Sequence, residues 1–156
     1  MLVVIGTIWT IMTRPAPVIV WNLSASAPKG IYHVSRGKPA HKGELVVAHI
    51  QGPLRDLAAR RRYLPADIPL IKRIAAEHPD HLCTRGNVIH VNGRAVARQL
   101  AQDALGRPLP RWNGCRVLLR HEVLLLMDAP TSFDGRYFGP LNLSAVDGKA
   151  QPLWTW

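Results

Sequence analysis

Residues 88–97 read VIHVNGRAVA, two β-branched runs on either side of Asn92-Gly93. Asn-Gly tolerates positive φ at both central positions of a type I′ turn, whose twist matches that of the strands it joins. Val88–Val91 and Arg94–Ala97 are therefore expected to form a hairpin. Working outward, the same short-strand pattern recurs. Gly30–Val34 (GIYHV) alternates, Gly43–His49 (GELVVAH) follows a Pro39–Gly43 turn region, and LIKRIAA follows Pro69. Arg116–Leu119 and Glu122–Met127 read as two more strands. The period changes in two places only. Leu54, Leu57 and Ala58 fall at helical spacing between Pro53 and Pro65, which predicts a short amphipathic helix. A second brief helix is expected over Ala97–Ala104, before the turn-rich Gly106–Pro110. Short strands punctuated by Gly and Pro, with one or two short helices, make a mainly β fold with Greek-key or barrel-like packing.

The chain has 156 residues, 47% hydrophobic and 19% charged, enough for one domain with a real core and too few for two ordinary ones. Its formal charge of +10 calls for an anionic partner or surface. The basic residues are scattered. The one dense run, Arg60-Arg61-Arg62, has no aromatic neighbour except Tyr63 and no nucleic-acid module around it, so it reads as a solvated or lipid-facing surface and no nucleic-acid partner is expected. Met1–Met12 (MLVVIGTIWTIM) carries no charge, and apolar character resumes at Val18–Trp21 after Thr13–Pro17. That run is shorter than the roughly twenty residues a spanning helix needs, and it lacks the cationic start of a cleaved leader. Residues 1–20 are expected to form a membrane-proximal apolar segment ahead of a domain over 21–156; the alternative is a buried first strand. Cys83 and Cys115 allow one intramolecular pairing. In an oxidising compartment it would add roughly 3 to 4 kcal/mol, and the alternative is two buried thiols.

Many chemistries are missing from the sequence. It holds no G-x-S-x-G elbow, no H-E-x-x-H, no phosphate loop and no G-x-G-x-x-G, and no Cys/His spacing suggests zinc or another metal. No cofactor is implied. None of the seven histidines stands in a telling arrangement with a serine and an acid. A serine can instead be activated by a lysine, provided the lysine is neutral near the working pH. Lys72 is the candidate. In a strand over PLIKRIAA, Leu70, Lys72 and Ile74 share one face, so Lys72 lies between apolar neighbours and burial lowers its pKa. A solvated edge lysine whose stem covers apolar surface is the bland alternative. WNLSASAPKGIY (Trp21–Tyr32) supplies the hydroxyls: in an extended turn Ser24 and Ser26 point the same way, one to attack and the other to stabilise an oxyanion.

Three separated pieces, SASAPKGIY, PLIKRIAA and SFDGRYFGPL (Ser132–Leu141), resemble in order the nucleophile, lysine and Asp-x-Arg boxes of type I signal peptidases. The likeness is strongest to the TraF-type conjugative transfer peptidases, and GRPLPRWNGC and YLPADIPLIKR add to it. It extends over nearly everything from Trp21 to Leu141. The resemblance implies Ser26 as nucleophile, Lys72 as general base, Ser24 as the oxyanion-hole serine, Ser132 as the residue that orients Lys72, and Asp134 and Arg136 as supports of the site. It further implies a signal-peptidase-like β domain at the periplasmic face of a bacterial inner membrane. Its partners would be the membrane surface and an exported, pilin-like precursor. Where the family usually has Pro-Gly-Asp, this chain has His78-Pro79-Asp80. Two other readings are a general housekeeping signal peptidase and, from another class, a basic module that binds nucleic acid or lipid without catalysis.

Overall fold

The computed structural model describes residues 18–37 and 39–156; the apolar run Met1–Met12 and the anchor reading built on it lie outside the described residues. The strands are β1 (Val18–Asn22), β2 (Gly30–Arg36), β3 (Leu45–Ala48), β4 (Leu70–Glu77), β5 (His81–Arg85) and β6 (Val88–Val91). They continue with β7 (Arg94–Arg98), β8 (Gly114–Val117), β9 (Glu122–Leu126), β10 (Leu141–Asn142) and β11 (Val146–Thr155). Helix α1 (Pro53–Arg60) lies between β3 and β4, and the single turn α2 (Gly135–Phe138) follows β9. The fold is mainly β. Seven strands form one sheet in the order β1-β2-β11-β3-β4-β9-β10, and four form a second in the order β7-β6-β5-β8. Among the described residues no helix is long and apolar enough to cross a membrane.

Alternation places the core. β2 buries Tyr32 and Val34 on one face, and these pack with Val47, Ile71, Met127 and Ala27. On β9, Val123 and Leu125 point one way, into a cluster with Val46, Ala48 and Ile74. Leu124 points the other way and packs, with Leu126, against Leu82, Ile89, Val91 and Leu118, which joins the second sheet to the first. Both faces of β9 are therefore covered, which is why EVLLL reads as a continuous apolar run. Where β2 meets β11 the backbones approach so closely that a Cβ on Gly30 would lie 2.0 Å from the Trp154 carbonyl oxygen, so only glycine fits there.

The hairpin forms as expected. Asn92 and Gly93 have φ of 51° and 81°, the pair of left-handed residues a type I′ turn requires. The brief helix expected over Ala97–Ala104 does not form. β7 runs on to Arg98, and the next residues form an irregular segment in which Asp103 accepts from the backbone N–H groups of Leu105 and Arg107. A buried glutamine at 99, tied to α2, holds this segment in place of helical bonds. α1 ends at Arg60 and does not reach Pro65, because Arg62 turns left-handed at φ 59° and the Tyr63 N–H reaches back to the Ala58 carbonyl. β1 crosses the expected division at residue 20 and exposes Ile19 and Trp21. β11, which pairs with both β2 and β3, was not legible in VDGKAQPLWT, whose Gly, Lys, Gln and Pro hide the strand.

Candidate active site

Ser24 and Ser26 lie on the turn between β1 and β2, and Asn22 shapes that turn. Asn22 is buried. Its Nδ2 donates to the carbonyls of Ser24, Ala27 and Pro28 at 3.1, 3.2 and 2.9 Å, and its Oδ1 accepts from the Ser24 N–H at 3.0 Å. The Tyr32 hydroxyl donates to the Pro28 carbonyl at 2.7 Å and pins the far side of the turn. The loop is held by side chains because its own backbone makes no ladder. The two serine hydroxyls lie 2.9 Å apart, and the Ser26 N–H donates to Ser24 Oγ at 3.4 Å.

Lys72 reaches this turn from β4. Its strand neighbours Leu70 and Ile74 are buried, and Lys72 itself is 2% exposed. Nζ donates to Ser26 Oγ at 2.6 Å and to Ser132 Oγ at 2.9 Å. Burial lowers its pKa from 10.5 to about 8; the Arg136 guanidinium pushes the same way, and the Asp134 carboxylate opposes both. The amine is thereby neutral in a useful fraction of molecules at mildly basic pH, and a neutral amine can accept the Ser26 proton.

Ser132, Asp134 and Arg136 come from the segment that follows β9. All three are buried. Asp134 caps α2, accepting from the Arg136 N–H at 3.1 Å, and also accepts from the Met127 N–H at 3.0 Å. Its carboxylate is bridged by Arg136 Nε at 2.8 Å and Nη2 at 3.1 Å. Arg136 spends its other donors on the carbonyls of Met127, Ala129 and Pro130 at 2.5, 3.1 and 2.8 Å, so the pair fastens the loop that carries Ser132 to the end of β9. Gly135 fits because α2 presses on β9: a Cβ there would lie 2.6 Å from the Leu125 carbonyl oxygen.

The structure thus brings Ser24, Ser26, Lys72 and Ser132 into one hydrogen-bonded chain, with Asp134 and Arg136 behind it. Cys83 and Cys115 lie in the second sheet, directly opposite each other on β5 and β8, and form a disulfide. Sequence reasoning missed three supporting residues. Asn22 could have been found from its place two residues before Ser24, the spacing of an Asx turn. Gln99 had no local signal, and Trp112 lies in the GRPLPRWNGC likeness, which assigned it no role. Gln99 Nε2 donates to the Arg136 carbonyl at 2.8 Å and Trp112 Nε1 to the Gly135 carbonyl at 2.9 Å, so both attach the second sheet's connections to α2. A cleft of about 460 Å³ opens beside Ser26, with Ala27, Met127, Ala129 and Trp156 among its walls. Among the described residues, no three His, Cys, Asp or Glu side chains gather in a way that could hold a metal ion.

The family model described as signal peptidase, peptidase S26, matches residues 1–156. A plasmid transfer protein TraF of Escherichia coli is 35% identical over 146 residues, covering 86% of this chain and 82% of its own length. A probable conjugal transfer protein TraF of Sinorhizobium fredii is 31% identical over 148 residues, covering 86% and 76%. A crystal structure of a signal peptidase I from Enterococcus faecalis V583 aligns with a TM-score of 0.42 at 14% identity, over 72% of this chain and 97% of that one.

Proposed function

Because the chain belongs to the signal peptidase family, peptidase S26, we propose that Ser26 and Lys72 are the catalytic pair of a serine endopeptidase that removes peptides from exported precursors. The single observation that carries this reading is the 2.6 Å approach of a nearly inaccessible lysine amine to the Ser26 hydroxyl. Neutral Lys72 takes the Ser26 proton as Oγ attacks the scissile carbonyl. The oxyanion is met by the Ser24 hydroxyl and the Ser26 N–H, already on the same side of the turn. The ammonium then gives its proton to the leaving amine, which leaves an acyl-enzyme. Lys72, neutral again, activates the water that releases the acyl group. Ser132 holds Nζ beside Ser26, and Asp134 and Arg136 fasten the loop that carries Ser132.

The names of the relatives favour conjugative transfer as the setting and a pilin-like precursor as the substrate over general secretion. The apolar residues ahead of β1 serve in this reading as the membrane-proximal segment, with the domain that begins at β1 on the periplasmic side, where the scissile bond of an exported precursor lies just outside the bilayer. Ser26→Ala and Lys72→Ala are each expected to lower cleavage of a cognate precursor by at least about 10³-fold with the far-UV spectrum unchanged. In the unaltered enzyme kcat/KM is expected to rise about tenfold per pH unit and to level off near pH 8, as Lys72 loses its proton. Either variant retaining a tenth of the activity, or a flat profile between pH 6 and 9, as a rough working range, excludes the pair.

A further inference from the structure

The cleft beside Ser26 has a neutral floor and a charged rim. Ala27, Met127 and Ala129 supply the floor; Lys29, Arg73 and Asp128 are its charged side chains. Lys29 follows the serines on the same turn. Arg73 follows Lys72 on β4 and, on the opposite face, is exposed where Lys72 is buried.

Neither cation is neutralised from within the fold. The Arg73 guanidinium donates to the Gly43 carbonyl at 2.7 Å, and among the described residues neither Arg73 nor Lys29 forms an ion pair. The carboxylates nearby in sequence or sheet are engaged elsewhere: Glu44 with Lys149, Asp80 with Lys42, and Asp134 with Arg136. Asp128 alone faces the cleft, exposed and likewise outside any ion pair among the described residues. The rim therefore carries two free cations against one carboxylate, on a chain whose net charge is +10.

We propose that Lys29 and Arg73 make this cleft selective for precursors with an acidic side chain next to the small residues at the scissile bond, and that Asp128 disfavours a second acid there. The inference rests on the endopeptidase reading and adds a substrate class to it. An exposed ion pair changes affinity by up to about fivefold, so two cations acting on one carboxylate give a preference of about five- to twentyfold, and salt weakens it.

The test uses the full chain in zwitterionic detergent and internally quenched peptides. These have alanine at the scissile position and Glu, Gln or Lys placed in turn at each of the flanking positions. Glu at one or two positions is expected to raise kcat/KM about five- to twentyfold over Gln, with Lys below Gln, and the preference is expected to shrink at 0.5 M salt. In the doubly substituted Lys29→Glu/Arg73→Glu chain the Glu-to-Lys ratio is expected to invert; because the ratio is taken within one preparation, a partly unfolded fraction cancels. Equal rates for Glu, Gln and Lys at every position in the unaltered chain overturn the proposal, whatever the double variant does. Binding of the same peptides to Ser26→Ala, followed by fluorescence anisotropy, separates the two failures. Glu-selective binding without cleavage by the unaltered chain retains the acidic preference and removes the peptidase reading, whereas neither binding nor cleavage removes both.

Discussion

The two sheets differ in the charge they bury. The seven-stranded sheet encloses Lys72, Ser132, Asp134 and Arg136 at 3% exposure or less, where apolar side chains would pack at lower cost. The four-stranded sheet buries Leu82, Ile89 and Val91, and a disulfide ties β5 to β8. The first region holds buried charges, which cost stability, amid its own apolar clusters; the second adds the apolar contacts it shares with β9 and a covalent link. They are joined where Gln99 and Trp112 donate to the backbone of α2, so the second sheet steadies the segment that carries Ser132, Asp134 and Arg136. The contrast teaches that the site is an internal polar lattice supported from outside, and each part should respond to substitution in its own way.

The largest stability effect is expected at the ion pair. Asp134→Asn leaves Arg136 charged and without its carboxylate in a site 3% exposed, and a loss of about 3 to 5 kcal/mol in urea unfolding is expected. The double variant Asp134→Asn/Arg136→Met should recover part of that loss; a double variant as unstable as the sum of its singles breaks the account of the pair as a unit. Next comes the disulfide. Cys83→Ala/Cys115→Ala opens a loop with sequence separation 32, for an expected loss of about 3 to 4 kcal/mol, while kcat/KM at 25 °C stays within about threefold. A fall in kcat/KM that tracks the fall in stability would show that the second sheet does more than support.

Lys72→Met should act in the opposite sense. The folded pKa of Lys72, about 8, lies below the unfolded value near 10.5, so the folded state binds fewer protons between those limits. The penalty is therefore fully present below pH 8 and relieved as pH rises towards 10.5. Lys72→Met is expected to abolish cleavage and to raise stability by roughly 2 to 3 kcal/mol at pH 7, with the gain shrinking above pH 8. Thermal melts of both proteins at pH 7 and pH 10 check this, and an equal difference at the two values removes burial as the cause. The smallest effect belongs to the hairpin: Gly93→Ala forces a Cβ into φ 81° and should cost about 1 kcal/mol with no change in kcat/KM.

Local pattern and tertiary position divide what could be read in advance. Asn92-Gly93 dictated its turn because the backbone requirement lies within two residues. The alternation of LIKRIAA gave β4 and the face of Lys72, because pleating is a property of the strand itself. The segment after Gln99 could not be read this way. Ala97–Ala104 has helical composition, but the structure spends Gln99 on the Arg136 carbonyl, a bond to a residue far along the chain. β11 was hidden for the same reason: its strand state comes from pairing with β2 and β3, and its side chains do not advertise it.

For the site, the amino-acid sequence by itself supplied the residue types and their order: two hydroxyls on a Pro-Gly turn, a lysine in an apolar strand, and an Asp-x-Arg box after the last buried run. Only the tertiary structure decided that the Lys72 amine lies 2.6 Å from Ser26, that Ser132 meets it as a second partner, and that Gln99 ties the second sheet's connection to α2. Strand period and turn geometry act between near neighbours and can be read along the chain. Desolvation of an amine and the meeting of a strand with two distant loops depend on which sheets close over them, and that is a property of the packed molecule alone.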